Sequence, residues 1–265
     1  MIQCTFTTMT ARDLDTLKQQ HVQQLDFPLD GMWECFIDMA EHYSIRCEDK
    51  VIGYCVINDE QKLVQFSVTS AHDVRQIFNQ IITELKITGA IVSTSEFQYL
   101  SLCMDHQKST IVNALQYHID QNTKLHKARF PTQTHFRLIE HDELQIAVDF
   151  GITTLGADPN WLYSYYEDLI KGEKLFGLWQ DTLLIAAGEC RPSDTQRPYA
   201  DVGMVVLDTH RGKGIATNIL LNLLQNCKEL GLRAICSTES DNIAAQKAIA
   251  KAGFISHHRI LEVIF

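Results

Sequence analysis

Apolar and polar residues of this chain follow two spacings, and the two spacings occur in the same order twice. Apolar residues three or four positions apart predict helices, and apolar residues at every second position predict strands. A first helix starts at Thr10, which is predicted to cap it with Asp13 in the first turn, and ends before Pro28. The other elements predicted in this half are a helix at 32–41, a hairpin of strands 43–47 and 51–58, a strand at 62–68, a helix at 72–85, a strand at 90–94 and a helical or mixed segment at 96–119.

The second half of the chain repeats this plan of a helix pair, a hairpin, a central strand, a helix and a further strand. Because 265 residues exceed the usual size of one domain, the repeat predicts two domains, residues 1–125 and 135–265. Residues 120–134 are polar and lack periodicity, which predicts a linker. The elements predicted in the second half are a strand at 135–139, helices at 141–149 and 161–171, a hairpin of strands 175–179 and 183–191, a strand at 200–207, a helix at 217–230, a strand at 233–238, a helix at 242–252 and a strand at 256–265.

A short glycine-containing turn, residues 211–216, lies between the central strand and the helix of the second half. A strand, a glycine turn and a helix start present several backbone N–H groups to one phosphate, and glycine lets the main chain come close. Arg211 and Lys213 add positive charge, and the helix has no carboxylate before Glu229. Neither a Walker A loop nor a GxGxxG motif is present. The turn therefore predicts a phosphate site, and the alternative is an ordinary strand–helix turn with basic surface residues.

The residues of a second pattern are Arg211, Gly214 and Ala216 in this turn, followed by Asn242, Ala245, Gly253 and Phe254. This combination, within residues 200–254, resembles the GCN5-related N-acetyltransferase (GNAT) family. The resemblance implies an α/β (α+β) fold of two tandem acetyltransferase-like domains, each a mixed, largely antiparallel sheet flanked by helices. It also implies an N-acetyltransferase that transfers an acetyl group from acetyl-CoA to a primary amine by direct attack in a ternary complex.

The same resemblance implies which residues bind acetyl-CoA. The turn would hold the diphosphate, and the backbone of residues 204–206 would pair with the pantetheine arm while one N–H polarises the thioester carbonyl. Asn242 would hold apart the strands predicted at 200–207 and 233–238, which diverge to admit the arm. A role as the N-cap of the last helix also explains this residue. The implied acetyl-CoA-binding residues are Met204, Val205, Val206, Arg211, Gly212, Lys213, Gly214, Ile215, Ala216, Thr217 and Asn242.

Two carboxylates are candidates for the base that takes the proton of the amine. Asp201 stands at a place similar to that of the glutamate base in histone-acetylating members of the family, and Glu189 on the neighbouring strand is the second candidate. Each could instead be a strand-end carboxylate that faces solvent. The sequence departs from the family at Ile249, where many members carry a tyrosine that acts as general acid. Water or a tyrosine within residues 163–166 would then protonate the leaving thiolate.

The helix at 161–171 lies in the region where family members build the acceptor pocket. Trp161, Tyr165 and Leu169 are four residues apart and are predicted to face the core. Tyr163 and Tyr166 lie on other faces, where they could contact a ligand or solvent. The identity of the acceptor stays open between a small-molecule amine and a peptide amine.

The first domain repeats the order of elements without the motif. The segment after its central strand has no glycine, and Asp73 stands where the next helix would meet a phosphate. A carboxylate at that point would repel the phosphate. We therefore expect a degenerate acetyltransferase-like domain without a phosphate loop, and the alternative is an unrelated α+β domain.

Composition narrows the classes of partner. A net charge of −10 argues against nucleic acid, and no apolar run approaches the ~18 residues of a membrane span. The eight cysteines are scattered without the spacing of a metal site, which predicts reduced thiols in a cytoplasmic protein and no metal. A homodimer is left open. The rival function is a non-catalytic acyl-CoA-binding module with a regulatory or scaffold role.

Overall fold

The computed structural model describes residues 3–69, 73–120, 123 and 126–265. Its strands are β1 (Cys4–Met9), β2 (Glu41–Cys47), β3 (Lys50–Ile57), β4 (Lys62–Val68), β5 (Gly89–Ser93), β6 (Ser109–Ile119), β7 (Thr134–Leu138), β8 (Leu175–Gln180), β9 (Leu183–Pro192), β10 (Tyr199–Val206), β11 (Arg233–Glu239) and β12 (Phe254–Ile264). Its α-helices are α1 (Asp15–Gln23), α2 (Gly31–Met39), α3 (Val74–Glu84), α4 (Phe97–His106), α5 (Leu144–Leu155), α6 (Pro159–Lys171), α7 (Ile215–Glu229) and α8 (Ile243–Lys251). None of these helices is long and apolar enough to cross a membrane.

The chain forms two compact units. The first comprises Met1–Gln116 with Ser256–Phe265, and the second comprises Tyr117–Ile255. The domain segments 1–125 and 135–265 stay a prediction, because they were defined by the repeated order of elements. The compact units are defined by contacts, and residues Ser256–Phe265 of the last strand belong to the first of them. Parts of the predicted linker, 121–122 and 124–125, lie outside the described residues.

The first unit is a mixed sheet with helices on both faces. The order of its strands is β1-β2-β3-β4-β5-β12-β6; β4 and β5 are parallel, and β1/β2, β2/β3, β3/β4 and β5/β12 are antiparallel. Successive residues of β3 point to opposite faces. Tyr54 and Val56 pack with α2 and the turn before α1, whereas Cys55 and Ile57 pack with α3 and α4. A nearly continuous apolar strand thus fills two cores.

The second unit has the same architecture. Its strand order is β11-β10-β9-β8-β7, with β10 and β11 parallel and the other pairs antiparallel. Helices α5 and α6 cover one face and share a core with β8 and β9. Helix α7 approaches the other face closely at Gly188, where a Cβ atom would lie 2.5 Å from Cγ2 of Ile219. The predicted fold class, a mixed and largely antiparallel sheet flanked by helices, is confirmed in each unit.

The apolar periodicity predicts most of these elements to within a few residues, and two strands escape it. Thr10 and Asp13 form the expected cap: each side chain accepts from the other residue's backbone N–H before α1. Strand β1 precedes Thr10 and was not predicted. The helical or mixed segment expected at 96–119 consists of α4 followed by β6; the pattern does not indicate that strand, because its exposed residues 109–113 show no alternation.

The expectation that all eight cysteines are reduced is wrong for one pair. Cys4 and Cys47 are neighbours across the β1/β2 ladder and form a disulfide, with their Cα atoms 4.5 Å apart. Two cysteines that face each other on paired strands lie within the range that a disulfide spans. The other six are free thiols, five of them buried.

Candidate functional site

The glycine turn of the second unit joins β10 to α7. After one turn of 3₁₀-helix at Asp208–His210, the chain passes through Gly212 and Gly214, whose φ angles are +77° and +78°. This left-handed conformation favours glycine, so the two glycines sit where the backbone requires them. Gly214 is the N-cap of α7, it makes no side-chain cap, and the first turn of α7 has no acidic residue. The N–H groups of this turn therefore face a region suited to an anion.

The side chains of the turn stabilise its shape. Nε of Arg211 donates to the Val206 carbonyl at 3.2 Å, and its guanidinium lies 2.8 Å from the Asp208 carboxylate. The ammonium of Lys213 donates to the Thr209 carbonyl at 3.2 Å. These bonds hold two exposed cations beside the open turn before any ligand binds.

The residues that follow the turn connect it to the core and to α8. Ile215 is buried, whereas Ala216 and Thr217 are half-buried. The Thr217 hydroxyl donates to the Ala248 carbonyl at 3.3 Å, which ties the first turn of α7 to α8. At the start of α8, the side chain of Asn242 accepts from the Ala245 N–H at 3.1 Å. Asn242 thus acts as the N-cap, and a role in holding the central strands apart stays a prediction.

Strands β10 and β11 pair over three residues and then diverge. The parallel ladder runs from Tyr199 to Asp201 on β10 and from Arg233 to Ile235 on β11, although both strands continue beyond it. The predicted divergence is therefore confirmed. On its other edge, β10 pairs with β9 as far as Val206. Residues Met204, Val205 and Val206 thus lie on the strand segment that has left β11, with one edge available for a ligand.

Two carboxylates meet at this point through an arginine. Asp201 lies opposite Arg191 in the β9/β10 ladder, and Gly203 lies opposite Glu189. The guanidinium of Arg191 forms an ion pair with Asp201, and its Nε lies 3.4 Å from Oε1 of Glu189. The side chain of Asp201 is 8% exposed and that of Glu189 is 17% exposed. The alternative that they are solvent-facing strand ends is therefore wrong for both.

Tyr165 of α6 completes the group. Its hydroxyl donates to Oε2 of Glu189 at 2.7 Å. Burial raises the pKa of Tyr165 far above its ordinary value, and the charge of Glu189 raises it further. The hydroxyl therefore stays protonated and acts as a donor to Glu189. We call Tyr165, Glu189, Arg191 and Asp201 the carboxylate cluster.

The exposed and buried faces of α6 differ from the prediction. Trp161 was expected in the core, but it is 37% exposed and stacks on Tyr165 with ring centroids 4.8 Å apart. Tyr166 is predicted to lie on a face that contacts a ligand or solvent, but it is buried beside Leu162 and Leu169. The reason is that Leu162, Tyr166 and Leu169 make a second apolar stripe at helical spacing, and this stripe packs on the sheet.

Arg191 is the functional candidate that sequence reasoning missed. It stands two residues after Glu189 on β9, so both side chains leave the strand on one face. The available signal was this spacing together with the predicted hairpin, but the ladder with β10 has to be known before Asp201 joins them. Ile249 of α8 is buried, so its position provides an apolar contact and no hydroxyl.

The first unit shows the corresponding features in altered form. Strands β4 and β5 pair only from Lys62/Gly89 to Leu63/Ala90 before they separate. Asp73 caps α3 by accepting from the Gln76 N–H at 3.2 Å, so a carboxylate lies at the N-terminus of the helix that corresponds to α7. Residues 70–72 of the predicted motif-free segment lie outside the described residues.

Comparisons with known proteins agree with these features. A protein-family model described as an acetyltransferase (GNAT) domain matches residues 10–120. A second family model, described as the acetyltransferase (GNAT) family, matches residues 144–254. A search for similar sequences among curated proteins finds no match to this chain. A solved acetyltransferase of the GNAT family from Colwellia psychrerythraea is 36% identical, with a TM-score of 0.92 over 98% of this chain and 99% of that one.

Two more distant structures share the fold of the whole chain. A GCN5-related N-acetyltransferase from Sphaerobacter thermophilus is 12% identical, with a TM-score of 0.72 over 98% of this chain and 94% of that one. A tandem GNAT protein from the clavulanic acid biosynthesis pathway is 14% identical, with a TM-score of 0.67 over 98% of both chains. The chain therefore belongs to the GCN5-related N-acetyltransferase family and carries two of its domains in tandem.

Proposed function

We propose that this protein is an N-acetyltransferase that transfers an acetyl group from acetyl-CoA to a primary amine at its second unit. The observation that carries the proposal is the divergence of β10 from β11 after Asp201, on the strand that leads to the glycine turn. It leaves one edge of β10 without a ladder partner among the described residues, as the extended pantetheine arm requires. A phosphate-binding turn then follows on the same strand.

The residues of the turn fit the diphosphate of acetyl-CoA. A Cβ atom at Gly212 would meet nothing within 4 Å, and one at Gly214 would meet only Nδ2 of Asn218, at 3.8 Å. The space in front of the turn is therefore open. Arg211 and Lys213 supply positive charge there, and the first N–H groups of α7 supply donors. Met204, Val205 and Val206 would hold the arm, and Thr217 and Asn242 support the helices beside it.

Acetyl-CoA, when bound, supplies an acetyl group activated as a thioester. The neutral amine nitrogen attacks the carbonyl carbon, a C–N bond forms, the C–S bond breaks and CoA leaves as a thiolate. Since a lysine-type amine has a pKa of ~10.4, a base must first remove its proton at neutral pH. Orientation of the two substrates supplies much of the acceleration. Because Ile249 has no proton to give, the departing thiolate takes one from water or from one of the tyrosines within residues 163–166.

The carboxylate cluster supplies the base. The sequence favours Asp201 by its place in the family, with Glu189 second. The contacts support Glu189 as the first candidate for the base and Asp201 as the second. Asp201 is buried in an ion pair with Arg191, whereas Glu189 is more exposed. Tyr165 holds Glu189 in place by its hydrogen bond. Both residues stay candidates, and their variants separate them.

The first unit has no acetyl-CoA site in this proposal. Asp73 blocks the N-terminus of α3 and places a negative charge where the diphosphate would lie. A location in the cytoplasm and the absence of nucleic-acid and membrane partners stay predictions that rest on composition. A small-molecule amine and a peptide amine both remain candidates for the acceptor.

The experiment that tests the proposed function measures thiol release from acetyl-CoA across a panel of amines, polyamines, amino acids and peptides. We expect turnover on at least one primary amine, with the N-acetyl product identified by mass. The rival, a non-catalytic acyl-CoA-binding module, predicts acetyl-CoA binding without thiol release on any of them. Absence of acetyl-CoA binding would reject both.

We expect one acetyl-CoA molecule to bind per chain, because the sequence between β4 and α3 has no glycine and Asp73 caps α3, whereas the second unit has a glycine turn without a carboxylate at the helix start. Calorimetric titration of the full chain with acetyl-CoA, under conditions that prevent turnover, measures the stoichiometry. Titration with CoA itself is the control for the acetyl group. Two equivalent sites per chain would show that the first unit is not degenerate.

A further inference from the structure

We infer that the acceptor is an amine whose amino-bearing carbon carries no carboxylate, and that Glu189 binds its ammonium group and then takes its proton. The inference rests on the proposed function and names the substrate class for the same site. It follows from three features of the carboxylate cluster: the position of Glu189, the pairing of Arg191 and the aromatic surface beside them.

Glu189 lies against the part of β10 that has separated from β11. It pairs across the ladder with Gly203, two residues beyond Asp201, the last residue of β10 that pairs with β11. A Cβ atom at Gly203 would lie 2.7 Å from Oε1 and 2.9 Å from Cγ of Glu189. Glycine at this position therefore lets the glutamate side chain cross the strand. Its carboxylate is thus held beside the backbone proposed to bind the thioester.

The arginine of the cluster is already engaged by its own carboxylates. Arg191 forms an ion pair with Asp201, and Glu189 lies within 3.4 Å of its Nε. The two carboxylates and one guanidinium leave one negative charge in excess. Charges so poorly exposed are screened less than those at a surface. An ammonium group beside Glu189 balances the excess, whereas a further carboxylate adds to it and finds Arg191 occupied.

The surface beside Glu189 also suits a cation. Trp161 stacks on Tyr165 with an interplanar angle of 11°, and Tyr165 in turn donates to Glu189. Because the Arg191 guanidinium already lies over the Tyr165 ring, 5.9 Å from its centroid, the indole face of Trp161 is the one that can attract an ammonium group. Because Trp161 is 37% exposed, it offers the carbon chain of an amine an apolar contact near the solvent.

These features discriminate between two kinds of primary amine. In an α-amino acid, the carboxylate stands on the carbon that bears the reacting nitrogen, so it would enter the cluster together with the amine. Like charges brought together at an interface oppose binding strongly. In a decarboxylated amine or a lysine side chain, the ammonium group is the only charge that reaches Glu189.

The test compares amino acids with the amines formed by their decarboxylation, which share the side chain. The pairs are tyrosine and tyramine, tryptophan and tryptamine, and arginine and agmatine, because each of these amino acids has one primary amine and it stands beside the carboxylate. We expect kcat/KM to be at least about tenfold higher for the decarboxylated member of the best pair. In Asp201→Asn, Arg191 loses one partner and the cluster loses its excess charge, so this ratio should fall severalfold. Glu143→Gln, which removes a carboxylate paired with Arg137 at 2.6 Å, is the matched control and should leave the ratio unchanged.

Equal or better use of the amino acids, or an unchanged ratio in Asp201→Asn, would overturn the inference while the proposed function stands. If no member of a pair turns over, titration of the amines into the chain saturated with CoA takes the place of kcat/KM. Decarboxylated amines that do not bind there would also overturn it. Failure of acetyl-CoA itself to bind is a different result, and it would overturn the proposed function instead.

Discussion

The Gly214→Glu variant is expected to lose acetyl-CoA binding while the chain stays folded. Gly214 has a φ of +78° and is the N-cap of α7, so a side chain there strains the backbone and stands in front of the free N–H groups. The added carboxylate would also repel the diphosphate. We expect the Kd of acetyl-CoA to rise by at least about 100-fold. Calorimetric titration measures this, and thermal unfolding checks the fold.

The other end of α7 provides a matched control. Gly231 has a φ of +69°, and a Cβ atom there would also meet nothing within 4 Å. Gly231→Glu therefore introduces the same charge with similar backbone strain, about 1–2 kcal/mol, but far from the turn. We expect both variants to unfold at lowered temperatures, Gly231→Glu somewhat lower because its carboxylate lies at the negative end of the helix, and only Gly214→Glu to lose acetyl-CoA. Equal affinity in the two variants would show that the turn does not bind the diphosphate.

The glycine turn could be predicted because all of its information is local. A left-handed backbone, a basic residue and a helix start follow one another within a few positions, so the residue types alone indicate a phosphate site. The core elements could be predicted for a similar reason, since apolar spacing reports which face of a helix or strand is buried. Strand β6 could not, because its exposed residues 109–113 carry no alternation and neighbouring strands determine its conformation.

The carboxylate cluster depends on information that is not local. Glu189 and Arg191 share a face of β9, which their spacing indicates. The partner of Arg191 is fixed by the ladder with β10, and a register one residue different would place Asp201 on the opposite face. Similarly, helical spacing along α6 is compatible with two buried stripes of side chains, one that begins at Trp161 and one that begins at Leu162. The sheet that packs against α6 decides between them, and it selects Leu162.

The Cys4–Cys47 disulfide shows the same limit. The two residues are 43 positions apart, and nothing in the spacing of the eight cysteines singles them out. Pairing of β1 with β2 brings them together, and β1 itself was not predicted. Composition indicates a class of protein, whereas a bond between two particular side chains requires the register of the sheet.

Replacing Glu189 with glutamine should remove the base and retain the site. A glutamine has the same size and can still accept the hydrogen bond of Tyr165, so the fold and the Kd of acetyl-CoA should change little. Loss of a general base lowers the rate by roughly 10²–10⁴. We expect kcat to fall within that range on the best decarboxylated amine, measured by thiol release. Asp201→Asn should lower kcat less, because Asp201 positions Arg191 and does not contact the amine.

The pH dependence distinguishes loss of a base from a loss of packing. Without Glu189, the amine must lose its proton to solvent before it attacks. The rate of Glu189→Gln should then rise about tenfold per pH unit toward the amine pKa of ~10.4, while the parent levels off earlier. A variant damaged only in its packing would keep the pH profile of the parent at a lower rate. A larger loss in Asp201→Asn, with this steep profile, would instead identify Asp201 as the base and restore the order that the sequence suggests.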